Sequence, residues 1–305
     1  MYIYIFKRLL TVFITLWFII TLTFFLMRMA PGNPFDGERP LPEAIKANML
    51  KMYHMDEPLM NQYFYYLGNL LKGDLGPSYK MLDFSVNDII ISSFPVTLEL
   101  TLLSILLALV IGVSAGIYAA MKQNTGVDYS IMSISMLGIV LPSYAIAPIL
   151  TLIFSLWLHW FPVAGWYGGI YKILPVISLA LPRISYIARL ARGTMLDVLN
   201  SNYIRTAYAK GLNNNQVSFK HALKPTLLPI ISYLGPTIAI LMAGSVVVET
   251  IFDIPGLGRY FVTASIDRDY TLVMGIVIFY SFFVLFLSFL VDTLYAFIDP
   301  RVSRR

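Results

Sequence analysis

Cysteine is missing from the 305-residue chain. Its absence removes disulfides, thiolate metal sites and cysteine nucleophiles, and leaves the redox compartment open. Charge is nearly as scarce. Asp, Glu, Lys and Arg make up 13% of the residues, against about 25% in a soluble domain, so the chain lacks the polar surface that water requires. Intrinsic disorder needs high charge with little apolar content, and a collagen-like helix needs a Gly period; neither is present. No Gly-x-x-x-x-Gly-Lys-Ser/Thr string occurs, so there is no Walker-type phosphate loop. The three histidines, His54, His159 and His221, are scattered along the chain, which argues against a shared metal site. No internal repeat is visible.

What is present is apolar: 58% of the residues are hydrophobic and the mean hydropathy is +0.72. A bilayer core takes about 20 apolar residues as helix. Runs of that kind occupy 9–27, 100–121, the interior of the uncharged stretch 129–171, 225–248 and 270–291. A weaker run, 173–191, contains Pro175, Pro182, Arg183 and Arg189. The pattern predicts an all-α membrane protein with six transmembrane helices. Lys7 and Arg8 precede the first run as they would in a signal peptide, but no Ala-x-Ala site follows and the run exceeds the roughly 7 to 15 residues of a signal. An uncleaved first helix is expected.

Six spans put both termini on one side. With the termini cytoplasmic, the inside segments hold twelve basic and three acidic residues, and the outside segments nine basic and twelve acidic. The positive-inside rule therefore places both termini in the cytoplasm, and the net charge of +5 becomes a topology signal rather than a nucleic-acid patch. The expected division is an N-terminal transmembrane helix at 1–29, a periplasmic helical subdomain at 30–94 with amphipathic stretches at 43–53 and 59–71, and a five-helix core at 95–305. A cytoplasmic segment at 193–228 and a periplasmic loop at 249–270 interrupt that core.

Ala108, Gly112, Gly116 and Ala120 recur every four residues. They lie along one helix face, where small side chains let another helix approach closely. The string GVSAG within this run also fits the Gly-x-Ser-x-Gly elbow of serine hydrolases, with Ser114 as nucleophile, but that motif needs a strand-to-helix turn. Glu99, Arg183 and Asp292 are the charges nearest the hydrocarbon and so are functional candidates. Glu99 and Asp292 fall near span ends, within reach of headgroups. Arg183 sits midway along the weak run, and both a pathway role and a structural pairing stay open for it.

The cytoplasmic text NSNYIRTAYAKGLNNNQVSFKHALKPTLLPII predicts a short helix over 202–210, a stop at Gly211, an Asn-rich turn at 213–215, a second helix, and then Pro225 and Pro229 leading into the next span. From the residues alone the segment is either a helix suited to receive a push from a cytosolic partner or a basic loop that fixes topology.

Several blocks carry a wider likeness: MRMAPGNPFDGERPLP, GDLGPS, SFPVTLELT, SNYIRTAYAKGL, HALKPTLLPIISYLGP, VVETIFDIPGLGRYF, RDYTLVMG and VDTLYAFIDPR. In that order they resemble the binding-protein-dependent transport permeases of bacterial ATP-binding-cassette importers, and among these the first, B-type, permease of oligopeptide importers. The resemblance implies the type I importer permease fold in a multi-pass inner-membrane protein. It implies a homologous second permease, two cytosolic ATPases, a periplasmic peptide-binding protein, a peptide substrate and membrane lipid as partners, and no nucleic acid. It implies no catalysis and no cofactor on this chain, with ATP and magnesium held by the ATPase subunits.

In such permeases a cytoplasmic Glu-Ala-Ala-x-x-x-Gly motif docks into the ATPase. Arg205, Thr206, Ala207 and Gly211 stand in its places here, with Arg and Thr replacing the Glu and the first Ala. The resemblance thus assigns coupling to Asn202, Tyr203, Arg205, Thr206, Ala207, Lys210, Gly211 and Leu212. Arg183, Glu249, Asp253 and Arg259 are candidates for the pathway or outer gate. Dipeptide and nickel importers share much of the pattern. From other classes, a secondary transporter driven by an ion gradient and an intramembrane protease built on Ser114 and His159 are the alternatives.

Overall fold

The computed structural model describes residues 2–30, 48, 51, 54–81, 83–213 and 216–298. Nearly all of the 31–53 part of the expected 30–94 subdomain, including most of the 43–53 stretch, together with Asn214, Asn215, the Asp292 side chain and residues 299–305, lies outside the described residues. In chain order the helices are α1 (Tyr2–Met29), α2 (Leu59–Leu71), α3 (Val86–Met121), α4 (Gly126–Val140), α5 (Ser143–Leu150), α6 (Gly169–Leu199), α7 (Asn202–Ala209), α8 (Leu223–Gly244), α9 (Val246–Ile251), α10 (Leu257–Asp267) and α11 (Tyr270–Ile298). A π-helical segment, Thr151–Trp157, continues α5, and another, Val217–Ala222, leads into α8. Among the described residues the one strand-like pairing is an isolated bridge between Pro77 and Ser85.

Among the described residues five helices are long and apolar enough to cross a bilayer: α1, α3, α6, the run Val217–Ile251 and α11. The run expected within 129–171 is not a straight span. It is α4 followed by α5 with its π continuation, bent by 102°. The cause is Pro142, whose ring pushes the preceding residue out of the helical region; Leu141 sits at φ −82, ψ 117 and α4 stops there. The expected second helix is the π-helical turn Val217–Ala222, which runs without a break into α8, so Pro225 and Pro229 both lie within one continuous helical run, Pro229 inside α8 itself.

The chain falls into two compact units, Thr97–Pro255 and a second made of Met1–Val96 with Gly256–Arg305. This differs from the expected single core at 95–305, because α11 packs along α1 and α10 packs on α11. Phe24, Tyr63 and Met274 form one buried cluster of this unit, and Val86, Ile89, Leu257, Leu272 and Ile276 belong to another.

Asp269 ties that unit together. It precedes α11 and accepts hydrogen bonds from the Leu272 N–H at 3.2 Å and the Thr271 hydroxyl at 3.0 Å, which caps the helix with a negative charge. The same carboxylate accepts from the Ser78 hydroxyl and from the N–H groups of Tyr79 at 3.2 Å and Lys80 at 3.3 Å. Asp269→Ala strands these donors, with an expected loss of about 2 to 3 kcal/mol. Thermal unfolding in detergent checks this, and a wild-type transition temperature for the variant contradicts it.

In the unit Thr97–Pro255, α4, α5, α8 and α9 all pack on α6. α3 also neighbours α6, and small residues bring it close. A Cβ on Gly112 would lie 2.8 Å from the Ile184 carbonyl oxygen, and one on Gly116 only 2.3 Å from that of Ala188. Ala108 and Ala120, one turn beyond at each end, are buried. From the other side Gly138 of α4 meets α6 equally closely, at Ser185.

Candidate functional site

The segment between α6 and α8 is built by its caps. Ser201 is extended at φ −74, ψ 154, and its carbonyl accepts the first bond of α7 from the Arg205 N–H at 3.3 Å. At the other end the Gly211 N–H donates to Tyr208 O at 2.9 Å and the Leu212 N–H to Ala207 O at 3.3 Å. These two bonds are a Schellman cap, and Gly211 supplies its left-handed residue at φ +82. Asn213 and Gln216 then cap the next helix reciprocally: the Gln216 N–H donates to Asn213 Oδ1 at 2.9 Å and the Asn213 N–H to Gln216 Oε1 at 3.2 Å.

α7 has two faces. Ile204 and Ala207 point inward to a buried cluster with Ala120 of α3, Met195 of α6, and Val217 and Ala222 of the π-helix, and Leu212 packs back onto it. Burying the Ile204 side chain contributes on the order of 2 kcal/mol. One small helix thus rests on the ends of three long elements. Outward stand Tyr203 (47% exposed), Tyr208 (42%) and Phe219 (63%), interleaved with the exposed cations Arg205, Lys210 and Lys220. Aromatic residues and arginine together are what protein interfaces favour. Of the eight residues expected to couple, Ala207 and Leu212 face the seat, while Asn202, Tyr203, Arg205, Thr206, Lys210 and Gly211 are exposed.

Arg183 is half-buried on α6, and its Nη1 donates to the Tyr233 hydroxyl of α8 at 3.3 Å. Tyr233 stacks on Tyr186, ring centroids 4.4 Å apart. Arg183, Tyr186 and Arg189 follow one another at helical spacing, away from the buried Ile187, Ala188 and Ala191. Arg183 therefore has a pairing and also belongs to a polar face within a span. Glu99 near its span end is paired with Lys172, whose ammonium also lies over the Trp166 ring.

The segment expected as the 249–270 loop is mostly helix, and Glu249 is fully buried in α9, accepting from the Ser245 hydroxyl at 2.6 Å. A side chain so enclosed cannot meet an external partner; α9 is buried because it packs on α5 and α6. Asp253 is exposed in the following turn at φ +53, and Arg259 is half-buried on α10. Ser114 lies inside unbroken α3, so the hydrolase elbow has no turn to form on. His159 Nδ1 bonds the Ser155 carbonyl at 3.0 Å. Among the described residues no group of three metal-ligating side chains converges.

Sequence reasoning missed the ion pair that fastens α4 to α6. Arg192 donates from Nε to Asp128 Oδ1 at 2.6 Å and from Nη2 to Oδ2 at 2.7 Å, with Asp128 only 1% exposed. The Asn124 N–H adds a third bond at 3.0 Å. A Thr-x-x-Asp pattern at 125–128 marked the helix start but not the partner. Asp128→Ala leaves Arg192 without its fork, and a loss of about 2 to 3 kcal/mol is expected, toward the low end for buried pairs because Arg192 keeps 26% exposure. A double-mutant cycle with Arg192→Ala measures the coupling; additive losses contradict the assignment.

The geometry can be set beside known proteins. The family described as binding-protein-dependent transport system inner membrane component matches residues 112–304, and its N-terminal component matches residues 1–101. The oligopeptide transport system permease protein OppB of Haemophilus influenzae is 50% identical over 98% of both chains, and that of Escherichia coli K12 is 48% identical over 98% of both. The dipeptide transport system permease protein DppB of Bacillus subtilis is 42% identical over 98% of this chain and 97% of its own. A crystal structure described as an amino acid ABC transporter with histidines aligns at TM-score 0.53 over 68% of this chain and 93% of that one; at 18% identity it shares the fold. The chain belongs to the family of binding-protein-dependent transport system inner membrane components, as a multi-pass permease of the inner membrane.

Proposed function

We propose that this chain is one of two homologous permeases in an ATP-driven importer of oligopeptides, coupled through α7 to two cytosolic ATPases and fed by a periplasmic peptide-binding protein. The observation that carries the reading is the seat of α7, where Ile204 and Ala207 touch α3, α6 and the π-helix ahead of α8 at once. A push on its exposed aromatic and basic face is delivered to three spanning elements together. The chain holds no phosphate loop, so the energy comes from ATP and magnesium on the partner subunits. The higher identity to oligopeptide than to dipeptide permeases favours longer peptides.

In this reading the termini and α7 are cytoplasmic, as the basic bias of those segments suggests. The 30–94 region and the exposed Asp253 belong to the outer side, where the binding protein docks. The Arg183, Tyr186 and Tyr233 face lines the pathway: a charge that is costly in lipid is tolerated where it meets water, and its guanidinium offers donors to peptide carbonyls. Exposed apolar side chains such as Phe13 and Trp17 of α1 meet lipid. Closure of the ATPases then biases a two-state bundle.

Proteoliposomes carrying the purified complex and binding protein test the proposal. Labelled pentapeptide is expected to accumulate only with ATP on the ATPase side. Uptake driven by an ion gradient without ATP overturns the proposal.

A further inference from the structure

The pair of Glu99 on α3 and Lys172 on α6 stands at the head of an apolar groove. Between Glu99 and Lys122 the chain carries no Asp, Glu, Lys or Arg, and at 1.5 Å per residue that stretch of helix spans about 35 Å, a little more than the roughly 30 Å hydrocarbon core. The pair therefore lies at headgroup level on one side of the bilayer. Trp166 lies there with it, the Lys172 ammonium 4.9 Å from its ring centroid, and tryptophan is enriched at that level.

From this end a groove of about 400 Å³ runs between α3 and α6, walled by Leu103, Leu106, Leu107 and Val110 on one side and by Ile173 and Val176 on the other, with Lys172 at its mouth. Val110 lies about 16 Å along the helix from Glu99, close to half the hydrocarbon thickness. Just beyond it Gly112 brings α3 against Ile184. The groove thus has the length of one leaflet. Leu106 and Val110 are each 59% exposed, so it is open to the bilayer. A helix of another subunit would seat along a whole span, whereas this groove stops near the midplane. A plain hydrocarbon would leave the charges at the mouth unused. An amphiphile of leaflet length meets both ends. The crevice of about 440 Å³ between α3, α4, α5 and α6 has no charged side chain in its walls, and nothing there selects an occupant.

The charges at the mouth define the headgroup. Lys172 gives one N–H of its three to Glu99 Oε1, and Glu99 Oε2 meets no donor among the described residues. Donors of one residue and an acceptor of the other are thus left for a ligand. A purely anionic headgroup would suit Lys172 but meet repulsion from Glu99, whose side chain is 44% exposed. A phosphate next to a primary ammonium engages both. We infer that this groove is a binding site for one phospholipid with a zwitterionic, amine-bearing headgroup of the phosphatidylethanolamine class. An acyl chain lies between the leucines of α3 and Val176, the phosphate accepts from Lys172, and the ammonium donates to Glu99. The site shares no residue with α7 or with the Arg183 face and needs neither ATP nor peptide, so the inference goes beyond the transport reading and its test is independent of it.

The test uses the assembled complex in nanodiscs, with a phosphatidylethanolamine carrying a diazirine midway along one acyl chain as the probe and peptide mapping of the crosslinks. Labelling is expected at 103–110 and 173–176. Leu106→Trp, which fills the groove, and Lys172→Gln, which removes only the cation, should each lower it about tenfold, with the exposed face of α4 as the unchanged reference. Lys172→Gln keeps the test decisive if the tryptophan variant fails to fold. Excess unlabelled phosphatidylethanolamine should suppress the labelling and an equal excess of phosphatidylglycerol should not. Absence of labelling at these positions, unchanged labelling in Lys172→Gln, or equal competition by phosphatidylglycerol overturns the inference. A groove that is protected in the complex and crosslinks to another subunit also overturns it and assigns the groove to a protein neighbour.

Discussion

Gly116→Val is expected to yield no stably folded protein from detergent extracts, while Gly193→Ala behaves as wild type. The added Cβ at 116 would lie 2.3 Å from Ala188 O, 2.6 Å from Ala191 Cβ and 3.0 Å from Arg192 N. Most of these are backbone atoms of α6 and cannot rotate away. Carbon contacts are comfortable at about 3.5 to 4.0 Å, so α3 must retreat by roughly 1 Å or more. That retreat opens the cluster of Ala108, Ile187, Ala191 and Ile230 on one side and the seat of α7, through Ala120, on the other. Overpacking of one methyl costs about 1 to 3 kcal/mol, which is the expectation for Gly116→Ala; valine adds two more carbons. At Gly193 a Cβ meets nothing within 4 Å. Size-exclusion chromatography and thermal unfolding of the three variants decide the matter. A Gly116→Val chain that elutes and melts as wild type contradicts the close packing of α3 on α6.

Gly211→Pro is expected to reduce peptide-stimulated ATP hydrolysis in the reconstituted complex by tenfold or more, about 1.4 kcal/mol or more of lost coupling. Proline holds φ near −65°, whereas position 211 needs +82, and proline also lacks the N–H that Gly211 donates to Tyr208 O. The cap that ends α7 and folds Leu212 back onto its seat is lost. Gly211→Asn separates geometry from the mere presence of glycine, because asparagine tolerates the left-handed conformation; stimulation should be largely kept. Deleting 202–211 should abolish stimulation with membrane insertion intact. Wild-type stimulation in the deletion variant contradicts the coupling role of α7.

Much of this architecture was legible because it rests on local rules. The stop at Gly211 follows from one residue's conformational freedom, and the four-residue spacing from Ala108 to Ala120 is a property of helix geometry. Four of the five strong apolar runs, and the weaker one at 173–191, became spanning helices for the same reason. The bend at Pro142 was also written locally, in Leu141–Pro142–Ser143, but an uncharged run of more than forty residues masked it. Other features are tertiary. Asp128 and Arg192 lie 64 positions apart, so charge counting registered each as a topology signal and could not pair them. Glu249 read as a candidate for the pathway or outer gate; that it is buried on α9 against α5 and α6 is a tertiary fact the sequence does not carry. Asp269 carried a readable hint, an Asp directly before a helix, but its bonds to Ser78, Tyr79 and Lys80 join segments about 190 positions apart.

The absence of cysteine from the chain makes the central claim directly measurable. Single cysteines at Tyr203, Arg205 and Tyr208, labelled with a maleimide photocrosslinker in the assembled, peptide-transporting complex, report what the exposed face of α7 touches. The predicted result is crosslinking to the ATPase subunit at all three positions, with a yield that changes on ATP binding, and none from a cysteine at Phe64 of α2. A complex that transports peptide while α7 gives no ATPase crosslink in any nucleotide state contradicts the account.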